Sequence, residues 1–327
     1  MDNASQPIIE GAMVMTYQIL TDEDVLNTLT MKDIVGKIEI AMREMAGGSL
    51  VAPPRFRVDA EKGALVFTAG AATQHEKVIG FRVYDTFPHK AGEWEQLVVV
   101  FDSDNGTLKG VVIGQAVGRL RTGAIGGVAI NMMARQDAKV VGVIGAGVHA
   151  RTQLEGAAAV RNLEHVFVYS RTSENREGYA AEMSQKLGVE VVAVDSAEKA
   201  VREADIVLCA TKSPTPVIEV GWLKAGTHIN TVGPKYLDAH EMDLAVADRS
   251  QVIVTDSMGQ VEDYGNFFLE NTPHLVRMVE LDDVVAGREK GRTSAEDITL
   301  FCSVGLAGTE VVVANEVLKR AATKLNQ

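Results

Sequence analysis

Two rhythms of apolar and polar positions divide the chain. Between Arg55 and Phe101, short β-rich runs (Ala64 to Phe67, Val78 to Tyr84, Gln96 to Phe101) alternate with Gly, Asp and Asn turns. Asp102-Ser103-Asp104-Asn105-Gly106 is a hairpin signal ahead of a further strand, Leu108 to Ile113. Upstream, Thr21-Asp22-Glu23-Asp24 has the form of a helix start, with Thr21 as N-cap and acids at the positive end of the helix dipole. A second helix is predicted from Met31 to Met45, apolar at Ile34, Ile38, Ile40, Ala41 and Met45 and stopped by Gly47-Gly48. The first 16 residues, with the Met13-Val14-Met15 cluster, are irregular and read as a peripheral arm. The first third is thus a mixed α+β unit on a mostly antiparallel sheet.

From about residue 120 the pattern becomes helix, strand, helix, strand. Thr122 to Ala134 is helical by spacing. Apolar runs then recur at Val140 to Ile144, Val166 to Tyr169, Val189 to Val194, Asp205 to Ala210, His228 to Val232 and Val252 to Thr255. Continuous apolar runs in a βαβ rhythm argue for a parallel sheet buried on both faces, and these six match a doubly wound dinucleotide fold. Thr299 to Leu325 is predicted as one helix returning to the first unit.

The remaining arithmetic narrows the class. At roughly 100–200 residues per domain, 327 residues suggest two domains. A formal net charge of −12 repels phosphate backbones and anionic lipid, so neither nucleic acid nor a membrane surface is an expected partner. No apolar run approaches the ~20 residues that span a bilayer, and Met1-Asp2-Asn3 does not open like a signal peptide. Cys209 and Cys302 are too few for a disulfide framework or a Cys-rich metal site and fit a reducing, cytoplasmic setting. His228 and His240 lack partners at metal-ligand spacing, so no metal is expected.

The chemistry is concentrated in Val140-Val141-Gly142-Val143-Ile144-Gly145-Ala146-Gly147-Val148-His149-Ala150. A strand runs into a glycine turn and then a helix, Val148 to Val160, with a second strand about 20 residues on, the context a dinucleotide fingerprint requires. Gly145 permits the tight turn, Gly147 lets backbone approach a pyrophosphate, and Ala150 allows close helix–strand contact. Ala146, Val148 and His149 complete the turn. At the end of the second strand, an NAD site usually carries an acid. Here Ser170-Arg171-Thr172 offers a guanidinium and two hydroxyls instead, which fits the 2′-phosphate of NADP, with NAD as the other possibility.

Arg121-Thr122-Gly123-Ala124, the glycine turn, Ala204-Asp205-Ile206-Val207 with Ala210-Thr211, and Trp222 through Gly233 together resemble the ornithine cyclodeaminase/mu-crystallin family. That resemblance implies an α/β chain in which a Rossmann-type doubly wound parallel sheet is inserted into an α+β substrate and dimerisation domain. Residues 1–120 plus 300–327 would form the latter and 121–299 the former. It implies a homodimer, hydride chemistry at the α-carbon of a small imino or amino acid, and cofactor contacts from Thr122, Ala210, Thr211, Val232, Gly233 and Ser303.

The resemblance also implies a substrate-carboxylate site. Arg55 and Arg121 stand where the family has its carboxylate arginines, and Arg82 replaces a lysine. Arg82 keeps the charge but exchanges a titratable point donor for a fixed fork. After Gly233, cyclodeaminases carry an acid/base aspartate, whereas this chain reads Gly233-Pro234-Lys235. Lys235 is therefore the candidate catalytic residue, as a proton donor with a lowered pKa or as a second carboxylate binder. Asp238 and Glu241 follow it, and Glu241 resembles a structural glutamate. The expectation is an NAD(P)H-dependent oxidoreductase reducing a C=N bond beside a carboxylate. Its alternatives are a cyclodeaminase using NAD+ catalytically and a non-catalytic nucleotide-binding protein of crystallin type.

Overall fold

The computed structural model describes residues 17–89 and 96–325, so the expected N-terminal arm with Met13-Val14-Met15 lies outside the described residues. Helix α1 (Asp22–Thr28) starts at Thr21, whose backbone N–H donates to the Asp24 carboxylate at 2.8 Å. Helix α2 (Met31–Ala46) is amphipathic: Ile34, Val35, Ile38, Ala41 and Met42 face the core. It ends at Gly47, followed by Gly48 at φ +77°. Among the described residues, seven strands between Gln18 and Ile113 form the first sheet. It is antiparallel except where Gln18–Thr21 pairs parallel with Leu108–Ile113. One face buries Val66, Val78, Val98, Val100 and Val112. The other leaves Val51, Phe56, Val58, Leu65 and Ile79 exposed.

Helix α3 is longer than its apolar spacing suggested, running from Ala116 to Met133, and it is almost wholly buried. Its glycines explain why. A Cβ on Gly123 would meet the Thr152 carbonyl oxygen at 2.3 Å, and one on Gly156 the Gly123 carbonyl oxygen at 2.3 Å. Helix α3 and helix α4 (Val148–Val160) therefore touch backbone to backbone, which only glycine permits.

Among the described residues, the second sheet has eight parallel strands rather than six. The expected runs are present, with the 189–194 run shortened to Val191–Ala193. Thr299–Cys302 inserts between His228–Thr231 and Val252–Thr255, and Val279–Glu280 forms one edge. The predicted helix 299–325 is thus corrected: its first four residues are a strand, and the helix is Thr309–Leu325. Gly305 and Gly308, at φ +90° and +79°, break the continuous apolar pattern between them. The domain borders expected at 120/121 and 299/300 fall inside α3 and inside this strand. Among the described residues no helix is long and apolar enough to cross a membrane.

Candidate active site

The parallel sheet delivers the expected nucleotide positions to one edge. Going across it, the strands His165–Tyr169, Val140–Ile144, Ile206–Cys209, His228–Thr231, Thr299–Cys302 and Val252–Thr255 lie side by side. Their C-terminal ends continue into Ser170-Arg171-Thr172, Gly145 to Val148, Ala210-Thr211, Val232-Gly233, Ser303 and Asp256 in that order. Sequence order reverses between the second and third of these strands, the crevice where such sheets take ligands.

Gly145 adopts φ +110°, and a Cβ there would lie 2.5 Å from the Ala210 carbonyl oxygen. Gly147 has nothing within 4 Å of its Cβ position, leaving open space beside the first turn of α4. Among the described residues no side chain caps that helix at Gly147, which leaves its leading N–H groups available. These features fit a dinucleotide pyrophosphate. Arg171 and Thr172 are exposed, while the Ser170 hydroxyl donates to the Thr172 carbonyl at 3.2 Å. Thr122 is buried within α3, its hydroxyl donating to the Gly118 carbonyl at 2.9 Å.

Two buried carboxylates hold the floor. Glu241 accepts from the Thr211 N–H and hydroxyl (2.9 and 2.7 Å), the Thr231 hydroxyl (2.8 Å), and the Val232 and Gly233 N–H groups (3.1 and 2.5 Å). This is a structural use of the glutamate. Asp256 accepts from the Ser303 hydroxyl (3.1 Å) and the Val304 and Gly305 N–H groups (2.7 and 2.9 Å). Lys235 is 1% exposed, and its Nζ donates to the Gly233 carbonyl at 2.8 Å. Burial lowers its pKa, opposed first by the charge of Glu241 and further by that of Asp256.

Arg55, Arg82 and Arg121 come together from a loop, a strand and a helix. Arg121 Nη2 lies 3.0 Å from Glu310 Oε1, and Arg82 Nη1 lies 3.4 Å from the same oxygen. Arg82 also donates through Nε to Gln96 at 3.0 Å and lies over the Tyr84 ring, 4.4 Å from its centroid. Gly118 makes room for it, since a Cβ there would lie 2.8 Å from the guanidinium carbon. Arg55 donates to Gln260 at 2.8 Å and to the Val304 carbonyl. A Cβ on Gly305 would sit 3.4 Å from both Arg55 Nη2 and Arg121 Nη1. Arg121, 8% exposed, keeps Nε and Nη1 without a partner among the described residues.

His149 stands in the first turn of α4. It is solvent-accessible yet crowded by protein, as a cleft wall is. Desolvation, then the charges of Arg121, Arg119, Arg82 and Lys212, hold its pKa down at about 4. The sequence reading did not find Glu310, Asp256, Tyr84 or Gln260. Only Tyr84 carried a signal, standing two residues after Arg82 on one strand and so on the same face. His228 is buried and bonded to Thr299 and Asn230 at 2.8 Å each. No group of three or more His, Cys, Asp or Glu among the described residues is arranged to hold a metal.

The sequence model of the ornithine cyclodeaminase/mu-crystallin family matches residues 15–324. A Delta(1)-pyrroline-2-carboxylate reductase of Bacillus cereus is 29% identical over 305 residues, 90% of this chain and 93% of that protein. Among solved structures, the Thermococcus litoralis Delta(1)-pyrroline-2-carboxylate reductase in complex with NADH and L-proline superposes with a TM-score of 0.84 at 32% identity, covering 94% of this chain and 98% of that one. An archaeal alanine dehydrogenase dimer with bound NAD gives 0.84 at 27% identity, covering 94% and 97%.

Proposed function

Because this chain belongs to the ornithine cyclodeaminase/mu-crystallin family, we propose that it is an NAD(P)H-dependent oxidoreductase that reduces the C=N bond of a small imino acid to the amino acid. One observation carries the reading. Arg121, almost wholly buried, holds two guanidinium nitrogens without partners among the described residues, with Arg55 also beside Gly305. Unpaired buried donors are costly, and a substrate carboxylate satisfies them.

Gly145, Ala146, Gly147, Val148 and the start of α4 hold the pyrophosphate, and Ala210, Thr211, Val232, Gly233 and Ser303 border the crevice. Bound there, the nicotinamide supplies the hydride. Arg55 and Arg121 clamp the carboxylate and orient the imine carbon, removing much of the entropic barrier. Arg82, fixed by Gln96 and Glu310, supports them. Lys235 lies beneath Gly233 rather than in the opening. We therefore assign it to holding that turn, with water as the proton source for nitrogen. Exposed Arg171, flanked by Ser170 and Thr172, favours NADPH over NADH. The exposed apolar face of the antiparallel sheet is the proposed homodimer surface.

The test is a paired assay. With cyclic imino acids, and with pyruvate plus methylamine, the reductase reading expects stoichiometric oxidation of the nucleotide, faster with NADPH than with NADH. With ornithine and lysine it expects no ammonia. Ammonia release without net change in the nucleotide would replace it with the cyclodeaminase reading.

A further inference from the structure

We infer that Arg151 is a positioning residue for nucleotide binding: it ties down the carbonyls of Ala146 and Gly147 and thereby aims the N–H groups of the glycine turn. The inference rests on the reading of that turn as the pyrophosphate site.

Arg151 lies one turn into α4. Its Nη1 donates to the Ala146 carbonyl at 2.6 Å and to the Gly147 carbonyl at 3.3 Å. Helix α5 (Ser173–Leu187) holds the rest of the guanidinium. Glu182 accepts from Nε at 3.0 Å on each carboxylate oxygen and from Nη2 at 2.7 Å. The guanidinium carbon also lies 5.2 Å from the centroid of the Tyr179 ring. That ring is wholly buried, and its hydroxyl donates to the Ala150 carbonyl at 3.0 Å. All three guanidinium nitrogens are thus engaged by protein. Arg151 therefore acts on a phosphate through the turn and not by direct contact.

The turn needs this restraint. Gly147 is the N-cap of α4, with extended backbone at φ −86° and ψ −175°, and a glycine leaves such a conformation at little steric cost. Its carbonyl takes the first helical bond, from the Arg151 backbone N–H at 3.3 Å, whereas Ala146 lies outside that ladder. In a planar trans peptide the C=O and N–H point in opposite directions. Holding the carbonyls of Ala146 and Gly147 against the guanidinium therefore turns the N–H groups of Gly147 and Val148 away from it. Rotation of the Ala146–Gly147 peptide would instead present a carbonyl oxygen where an anion needs an N–H donor.

Isothermal titration with NADH and with NADPH tests this. Arg151→Met should weaken both by about tenfold and by the same factor. Its kcat at saturating nucleotide and its KM for the imino acid should match the wild type. Glu182 does not touch the turn, so Glu182→Gln should weaken both nucleotides by a smaller factor. The double variant should bind no more weakly than Arg151→Met alone, because the effect passes through Arg151. Unchanged affinities in folded Arg151→Met would overturn the inference. So would a loss confined to NADPH, which would put Arg151 on the 2′-phosphate, or a Glu182→Gln loss that adds in full to that of Arg151→Met. If Arg151→Met does not fold, Glu182→Gln decides alone: weakening of both nucleotides supports the inference, and unchanged affinities overturn it. A wild type that binds neither nucleotide would overturn the reading of the turn and this inference with it. Binding without imine turnover would contradict the reaction, while the variant affinities still decide the inference.

Discussion

Arg121 is informative for what its guanidinium leaves unused. Nη2 is tied to Glu310, while Nε and Nη1 have no partner among the described residues. Arg121→Ala removes the substrate's charged hydrogen bonds, worth about 2–3 kcal/mol, and should raise KM for the imino acid by roughly 30- to 150-fold. Nucleotide affinity, measured by fluorescence titration, should stay close to wild type because the glycine turn is untouched. Equal KM values would remove Arg121 from the clamp. The three arginines were nameable from the chain because they sit in recognisable local patterns. Glu310 and Asp256 were not: each is a lone acid in an apolar stretch, and its partners arrive from elements far apart in sequence. Local spacing contains no trace of such a meeting.

Among the elements, the glycine turn was legible, because its fingerprint residues Gly145, Gly147 and Ala150 lie within five positions of one another. The 299–325 segment was not. Apolar residues continue through Cys302, Val304 and Leu306, so periodicity alone joined a buried strand to a helix, and burial in a parallel sheet erases the alternation that marks a strand. The C-terminal helix is also anchored electrostatically to α2. Asp33 accepts from Arg320 Nη2 at 3.0 Å and from the Thr30 backbone N–H at 2.9 Å. Those contacts, Arg320 first, lower its pKa from 3.8 to about 2. A depressed folded pKa means stabilisation that is present above the unfolded value of about 4 and is lost as pH falls toward 2. Asp33→Asn should therefore lower Tm at neutral pH, and the difference from wild type should close as the solution is acidified to about pH 2. Calorimetry across that range checks it, and a difference independent of pH would show that the ion pair is not the cause.

At the scale of the whole molecule, the antiparallel sheet buries one face and exposes the other. Phe56 and Val58 are more than half exposed, and the Phe56 and Phe67 rings stack at 4.9 Å between centroids. A contiguous apolar face of this kind is the proposed seat of a second copy. Val58→Asp should shift the protein from dimer to monomer by light scattering, and a dimer that persists would move the interface elsewhere.

Reduction of an imino acid with nicotinamide nucleotide deuterated at the transferring position of the reduced ring is the most direct test of the central claim. The account predicts one deuterium at the α-carbon of the amino acid formed by the wild type, with formation slowed sharply in Arg121→Ala. Product that carries no label at that carbon, or label delivered equally fast by the variant, would contradict it.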